Sequence, residues 1–287
     1  MARRRPPTVH GALIVDKPAG PTSHDVVAMA RRRFGERRIG HAGTLDPSAT
    51  GVLVIGIGNA TRLLRFATAG RKTYECDIVF GVTTSTLDAA GETVATHDMR
   101  LDPAGVASAA AAFVGTISQL PPMVSAVRVG GRRLHEIARA GQTAARKPRE
   151  VKVYRFDARP TDDPLVYRAH VECAAGTYVR SLGADLGAAL GGGAHVRSLR
   201  RTRSGAFTES EAAPVTDAAL REPAELVRDL GQIRLSSDEA ARARSGAHLE
   251  ADRYDGVGPW ALVDPDAALV GVHERVGDRL RATVLAF

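Results

Sequence analysis

The stretch Gly-His-Ala-Gly-Thr-Leu-Asp-Pro-Ser-Ala-Thr-Gly at residues 40–51 constrains this chain more than any other. Gly40, Gly43 and Gly51 admit backbone shapes closed to other residues, and Pro47 fixes φ directly after Asp46. The segment therefore reads as neither a helix nor a buried strand. Asp46, standing before proline, is pushed towards extended backbone. The apolar run at 52–55 that follows reads as a strand. An acid pinned in such a loop suits a working carboxylate on a rigid scaffold. Residue types alone equally allow an Asp-Pro turn that caps the strand.

Charge distribution bears on the choice. The net charge is +7, but residues 205–287 carry 9 basic and 15 acidic side chains, leaving +13 on residues 1–204. A basic body suggests a polyanionic partner. Only four of the 39 basic residues are lysine, so arginine clustering is more informative than arginine content. Five arginines (31, 32, 33, 37 and 38) crowd the end of a helix that Thr22 or Ser23 caps and Gly35 stops. That exceeds what the helix dipole needs, and a phosphate-facing surface is expected there. From Arg128 to Arg149 seven basic residues face the single acid Glu136, with Gly130, Gly131, Gly141 and Pro148 interrupting the segment. This is the composition of a weakly cored arm that clamps a nucleic acid.

The remaining chain reads as follows. Residues 11–17 form a short buried strand, and residues 72–81 alternate as a strand should. The Gly56-Ile57-Gly58 stretch mimics a dinucleotide fingerprint but lacks the third glycine and the βαβ continuation, so a tight turn and short helix are expected. Residues 103–114 are an alanine-rich helix, strands run to Phe156 and from Val166 to Cys173, and residues 205–230 read as a strand and a helix. Strand candidates at 260–263, 269–272 and 280–285 make the end of the chain β-rich. Cys76 and Cys173 sit in apolar segments and read as reduced core thiols of a cytoplasmic protein. The basic N-terminus lacks the apolar stretch of a secretory signal, no run reaches membrane-spanning length, and no Cys/His cluster has metal-ligand spacing.

The 40–51 loop resembles the active-site motif of TruB-type tRNA pseudouridine-55 synthases. Asp16-Lys17-Pro18 with Thr22-Ser23, Lys72-Thr73-Tyr74, Pro121-Pro122 with Ser125-Ala126, Gly176-Thr177-Tyr178-Val179-Arg180, and His195-Val196 with Leu199-Arg200-Arg201 recur in that family's order. The resemblance implies isomerisation of a tRNA T-loop uridine to pseudouridine, with no cofactor and no metal. It makes Asp46 the catalytic aspartate and Arg180 the guanidinium that pairs with it. His41 supports the flipped-out conformation, Tyr74 stacks on the extruded base, and Tyr178 and Leu199 line the pocket. Without the resemblance, Tyr74, Tyr178 and Leu199 read as core residues. Lys17 either serves the pocket structurally or caps the sheet edge. Arg128, Arg132, Arg133, Arg139, Arg200 and Arg201 are the expected RNA contacts. Arg128 and His135 replace a lysine and a tyrosine common in the family's arm.

The expected fold is α+β: a mixed, largely antiparallel central sheet of the pseudouridine-synthase type. A catalytic domain spans 1–230 with the arm inserted at about 121–150, and a small PUA-like β domain spans 231–287. The expected partner is tRNA through its T-arm, bound by a cytoplasmic monomer that needs no guide RNA, protein partner or membrane. One rival, a non-catalytic tRNA-binding or tRNA-folding protein, shares the charge pattern; a second, a guide-RNA-dependent relative, is opposed by the basic arm, whose clamping role a guide and partner proteins would take over. A glycosidase would need two working carboxylates, and one well-placed candidate is present.

Overall fold

A computed structural model describes residues 6–125, 127–140, 142, 144–252 and 254–285. The chain divides into two interleaved compact units. The first runs to Asp46, resumes over Val52–Gly70, and resumes again from Ser204 onward; the second holds Pro47–Gly51 and Arg71–Arg203.

In the first unit the strand Gly11–Lys17 lies beside Thr50–Ile57, which pairs antiparallel with Ile39–Ala42. The helix Ser23–Phe34 starts where expected. Thr22 and Asp25 form a reciprocal capping box, and Gly35 closes the helix in the left-handed conformation at φ 61°. The five helix-end arginines are exposed, and three of them also bond the fold. Arg33 donates to the carbonyls of Val215 and Ala218, Arg38 to Thr61 and Asn59, and Arg31 to Ile39. Three of the five thus also bond groups of the fold itself, while no such bond is described for Arg32 and Arg37.

Residues 205–230 contain a two-residue strand, Phe207–Thr208, and two 3₁₀ turns, Glu209–Glu211 and Pro223–Val227, in place of a strand and a helix. Pro214 and Pro223 remove amide donors a longer helix would need. An ion-pair cluster organises the segment instead. Arg228 holds Glu211 with a bidentate fork at 2.8 and 2.9 Å, Arg221 adds a third bond, and Arg228 also covers the Phe207 ring. Hydrogen bonding from Arg228 lowers the Glu211 carboxyl to about 2.

The end of the chain forms a five-stranded sheet in the order Gly231–Arg234, Trp260–Val263, Leu269–Val276, Arg279–Leu285, Leu249–Glu250. The first pair is parallel and the others antiparallel. Alternation sends Leu262 into a cluster with Ile233, Leu235, Ala240 and Leu280, and its neighbour Ala261 into another with Ala12, Ile14, Val52 and Val54. Residue 230 therefore separates two sheets, while the compact unit that contains residues 231–285 also holds the first strands of the chain.

His273 lies in this sheet with 1% of its surface exposed. Its Nδ1 has no hydrogen-bond partner among the described residues, and burial lowers its pKa from 6.5 to about 4, with His248 adding repulsion. The fold holds the ring neutral. Its contribution is complete above pH 6.5 and is lost as pH falls towards 4, because the unfolded chain takes up the proton first. Thermal melts should therefore lose about 3 kcal/mol between pH 7 and 4, from a shift of this size. His273→Leu should flatten that part of the profile; an unchanged slope would remove His273 as its source.

In the second unit the strand order is Ala194–Ser204, Lys72–Phe80, Val166–Cys173, Arg149–Pro160, Gly115–Gln119. Val166–Cys173 runs antiparallel to Lys72–Phe80 from Val166↔Val79 to Cys173↔Lys72, and Arg149–Pro160 pairs antiparallel on either side. Thr50 and Gly51 pair in parallel with Arg200 and Arg201, which makes the sheet mixed. The helix Pro103–Ala111 is capped by Asp102, and the helix Val179–Ala189 buries Leu182 and Leu186. The arm carries a hairpin, Arg128–Val129 with Arg132–Arg133, and a one-turn helix Leu134–Arg139 anchored by buried Leu134 and Ile137.

Gly51 is required twice over: its φ is +100°, and a Cβ there would lie 2.2 Å from the Arg201 carbonyl oxygen. Gly51→Ala should cost about 3 kcal/mol, combining left-handed strain with a clash against backbone. A melting temperature unchanged by the substitution would refute this.

Candidate active site

Asp46 is half-buried in the segment that leaves Ile39–Ala42 and enters Thr50–Ile57. The residue before it, Leu45, is buried and held at both backbone groups by one side chain. Ser23 Oγ donates to the Leu45 carbonyl at 3.1 Å and accepts from the Leu45 N–H at 2.9 Å. Ser23 is the first residue of the helix Ser23–Phe34 and is itself buried. The acid therefore follows a backbone clamped to a helix start, as a preorganised carboxylate requires. His41 lies on Ile39–Ala42 opposite Ile55, and its ring meets the edge of His24 at 5.3 Å and 83°. Lys17, at the end of the first strand, is fully buried and donates from Nζ to the Pro18 carbonyl at 2.8 Å.

The other predicted residues lie in the second unit. Tyr74 sits on Lys72–Phe80 opposite Val171 and is 8% exposed. Leu199 and Arg200 are half-buried on the neighbouring strand, where Arg200 faces Thr50, four residues beyond Asp46. Tyr178 is the N-cap of Val179–Ala189. Arg180, the second residue of that helix, is 3% exposed and donates to the carbonyls of Thr86 at 2.7 Å and Val124 at 2.8 Å, with Asp88 at 3.7 Å from its Nε. This is the environment of a guanidinium fixed in one orientation.

A family model described as TruB family pseudouridylate synthase, N-terminal domain, matches residues 31–179, and one described as tRNA pseudouridylate synthase B C-terminal domain matches 180–233. The chain belongs to the TruB family of pseudouridylate synthases. The tRNA pseudouridine synthase B of Thermobifida fusca is 45% identical over 277 residues, covering 92% of this chain and 94% of the relative. The protein of the same name from Mycobacterium tuberculosis is 41% identical over 285 residues, covering 96% and 95%. Among solved structures, a chain in a Cbf5-Nop10-Gar1 complex has a TM-score of 0.76 at 25% identity, covering 96% of this chain and 84% of that one. A chain of an H/ACA RNP bound to a substrate RNA containing 2′-deoxyuridine has a TM-score of 0.75 at 23% identity, covering 96% and 85%, and shares the fold.

As a TruB-family pseudouridine synthase the chain is an isomerase. Its α+β fold with a mixed central sheet and a β-rich C-terminal region agrees with the expectation drawn from sequence. One expected RNA contact needs correction. Arg201 is 1% exposed, so it presents no donor to a phosphate at the surface. Alternation on the strand turns it inward, beside the Gly51 backbone. Arg132 is exposed, while the side chains of Arg128, Arg133 and Arg139 lie outside the described residues. Neither cysteine supplies a nucleophile: burial pushes the Cys76 thiol up to about 12 and Cys173 to about 11, so both stay protonated. Among the described residues no three His, Cys, Asp or Glu side chains are grouped to hold a metal, and no helix is long and apolar enough to cross a membrane.

Two residues that hold the backbone at these positions escaped the sequence reading. Ser23 looked like a helix cap; its grip on Leu45 spans 22 residues and has no local signature. Gln119 carried no reading of its own. It is buried, and its carboxamide binds both backbone groups of Tyr178, accepting from N–H at 2.8 Å and donating to the carbonyl at 3.1 Å. A buried glutamine beside Pro121-Pro122 was the available signal, since a buried amide demands partners.

Proposed function

We infer that this chain converts uridine 55 in the T-loop of tRNA to pseudouridine, acting without a guide RNA. The observation that carries the reading is the full-length likeness to relatives named tRNA pseudouridine synthase B, at 41–45% identity over more than nine-tenths of both chains. The reaction breaks the C1′–N1 bond, turns the base, and joins C1′ to C5, releasing the C5 proton to solvent. Asp46 is the carboxylate that acts on the glycosidic bond. Arg180 orients it and keeps it ionised. His41 supports the flipped nucleotide, Tyr74 stacks on the base, and Tyr178 and Leu199 complete the pocket, with Lys17 supporting it structurally. The basic arm and Arg200 hold the RNA backbone.

The resemblance to chains solved in H/ACA and Cbf5 complexes keeps a guide-dependent reading in view. One experiment separates the two. Purified protein is incubated with a tRNA transcript carrying 5-tritiated uridine, with no other RNA, alongside a transcript whose position 55 is cytidine. Release of one equivalent of tritium from the first and none from the second supports the proposal. Release only when a second RNA is added supports guide dependence. Equal release from both transcripts moves the target away from position 55.

A further inference from the structure

We propose that Gln119 is a positioning residue through which the neck of the inserted arm sets the placement of Tyr178. The proposal rests on the pocket role of Tyr178 given above. Gln119 is the last residue of Gly115–Gln119, and its backbone pairs with Arg149, the first residue of Arg149–Pro160. The residues between 119 and 149 are the arm, so this pair is its neck. At that neck the Gln119 side chain reaches across 59 residues and holds both backbone groups of Tyr178.

Tyr178 needs this hold. It caps Val179–Ala189 without any side-chain hydrogen bond of its own and follows the glycine turn at Gly176, where φ is +88°. The amide of Gln119 takes the place of a ladder partner there, using one donor and one acceptor in the fork geometry of a backbone pair.

Two further bonds fasten the same helix start to the arm's outgoing leg. Ser181 Oγ donates to the Leu120 carbonyl at 3.2 Å, and Arg180 Nη2 donates to the Val124 carbonyl at 2.8 Å. The returning leg joins the same segment through Arg146, which donates to the Pro121 carbonyl at 2.8 Å. Residues 119–124 are thus stitched to residues 178–181 at three points, and RNA seated on the arm bears on the segment that fixes Tyr178 and Arg180. Gln119 is the only one of the three that grips Tyr178 itself.

The test uses full-length protein in single-turnover tritium release at saturating enzyme, with tRNA affinity measured separately by filter binding. The variants are Gln119→Leu, which keeps the volume and removes both bonds, and Gln119→Glu, which keeps the acceptor for the Tyr178 N–H but places a carboxylate against its carbonyl. With enzyme in excess, a partly unfolded preparation leaves the rate constant unchanged as long as the folded fraction still saturates the RNA. The expected result is a rate constant reduced at least tenfold in both variants, with the dissociation constant within about threefold of wild type. Rate constants unchanged in either folded variant, or a loss confined to affinity, would overturn the proposal. Absence of release by wild-type protein would instead refute the proposed reaction, leaving the two failures distinct.

Discussion

Asp46→Asn should abolish turnover while leaving RNA binding nearly intact. The substitution removes the charge and keeps the shape of the side chain. The Ser23 clamp acts on the Leu45 backbone, so it does not depend on the Asp46 carboxylate and should survive the change. The loop then retains its course with no group able to act on the glycosidic bond. A loss of at least ~10⁴-fold in single-turnover rate is expected for removal of an essential catalytic group, with the dissociation constant within about threefold. Tritium release and filter binding on the same preparation read both quantities. A variant that keeps its rate would return Asp46 to an Asp-Pro turn that caps a strand. One that loses binding at an unchanged rate would make it an RNA contact.

Neutralising Arg128, Arg132, Arg133 and Arg139 together should have the converse signature. Each phosphate contact contributes roughly 0.7–0.9 to the slope of log affinity against log salt, so four contacts removed flatten it by about 3. Affinity near 0.1 M salt then falls on the order of 10³-fold, while the rate at saturating RNA changes little. Arg146 is left out because it already bonds the Pro121 carbonyl, and replacing it would loosen the neck as well as remove charge. The buried Leu134 and Ile137 are untouched, so the arm keeps its anchor. Binding isotherms at several salt concentrations check the prediction. An unchanged slope would remove the arm from the interface.

What could be read from the sequence was what leaves a local trace. The glycines and proline of the 40–51 loop, the capping box at Thr22 and the alternation of 72–80 are short-range patterns, and the structure has the corresponding elements. Long-range pairings were illegible. Ser23 with Leu45 and Gln119 with Tyr178 are side-chain-to-backbone bonds, and any partner residue would serve the acceptor or donor role equally. The direction of an arginine was also hidden. Arg201 read as surface charge, yet it is enclosed. Residues 205–230 misled because their order comes from Glu211, Arg221 and Arg228 meeting in space, whereas the proline spacing forbids the long helix their composition suggested.

The interleaving of the two units has a consequence for how the protein is made. The second unit is complete once Arg203 has been synthesised, whereas the first strand waits for residues from the far end. Ala12 bridges to Arg221 and shares its cluster with Val272 and Val284. At ribosomal rates of ~5–20 residues per second, Gly11–Lys17 spends roughly 15–50 s outside the exit tunnel before its last partner emerges. For that interval the apolar strand has its neighbour Thr50–Ile57 but not its full cover, a condition under which nascent chains associate with one another. A chain halted just short of its final strand would therefore carry its defect at its beginning.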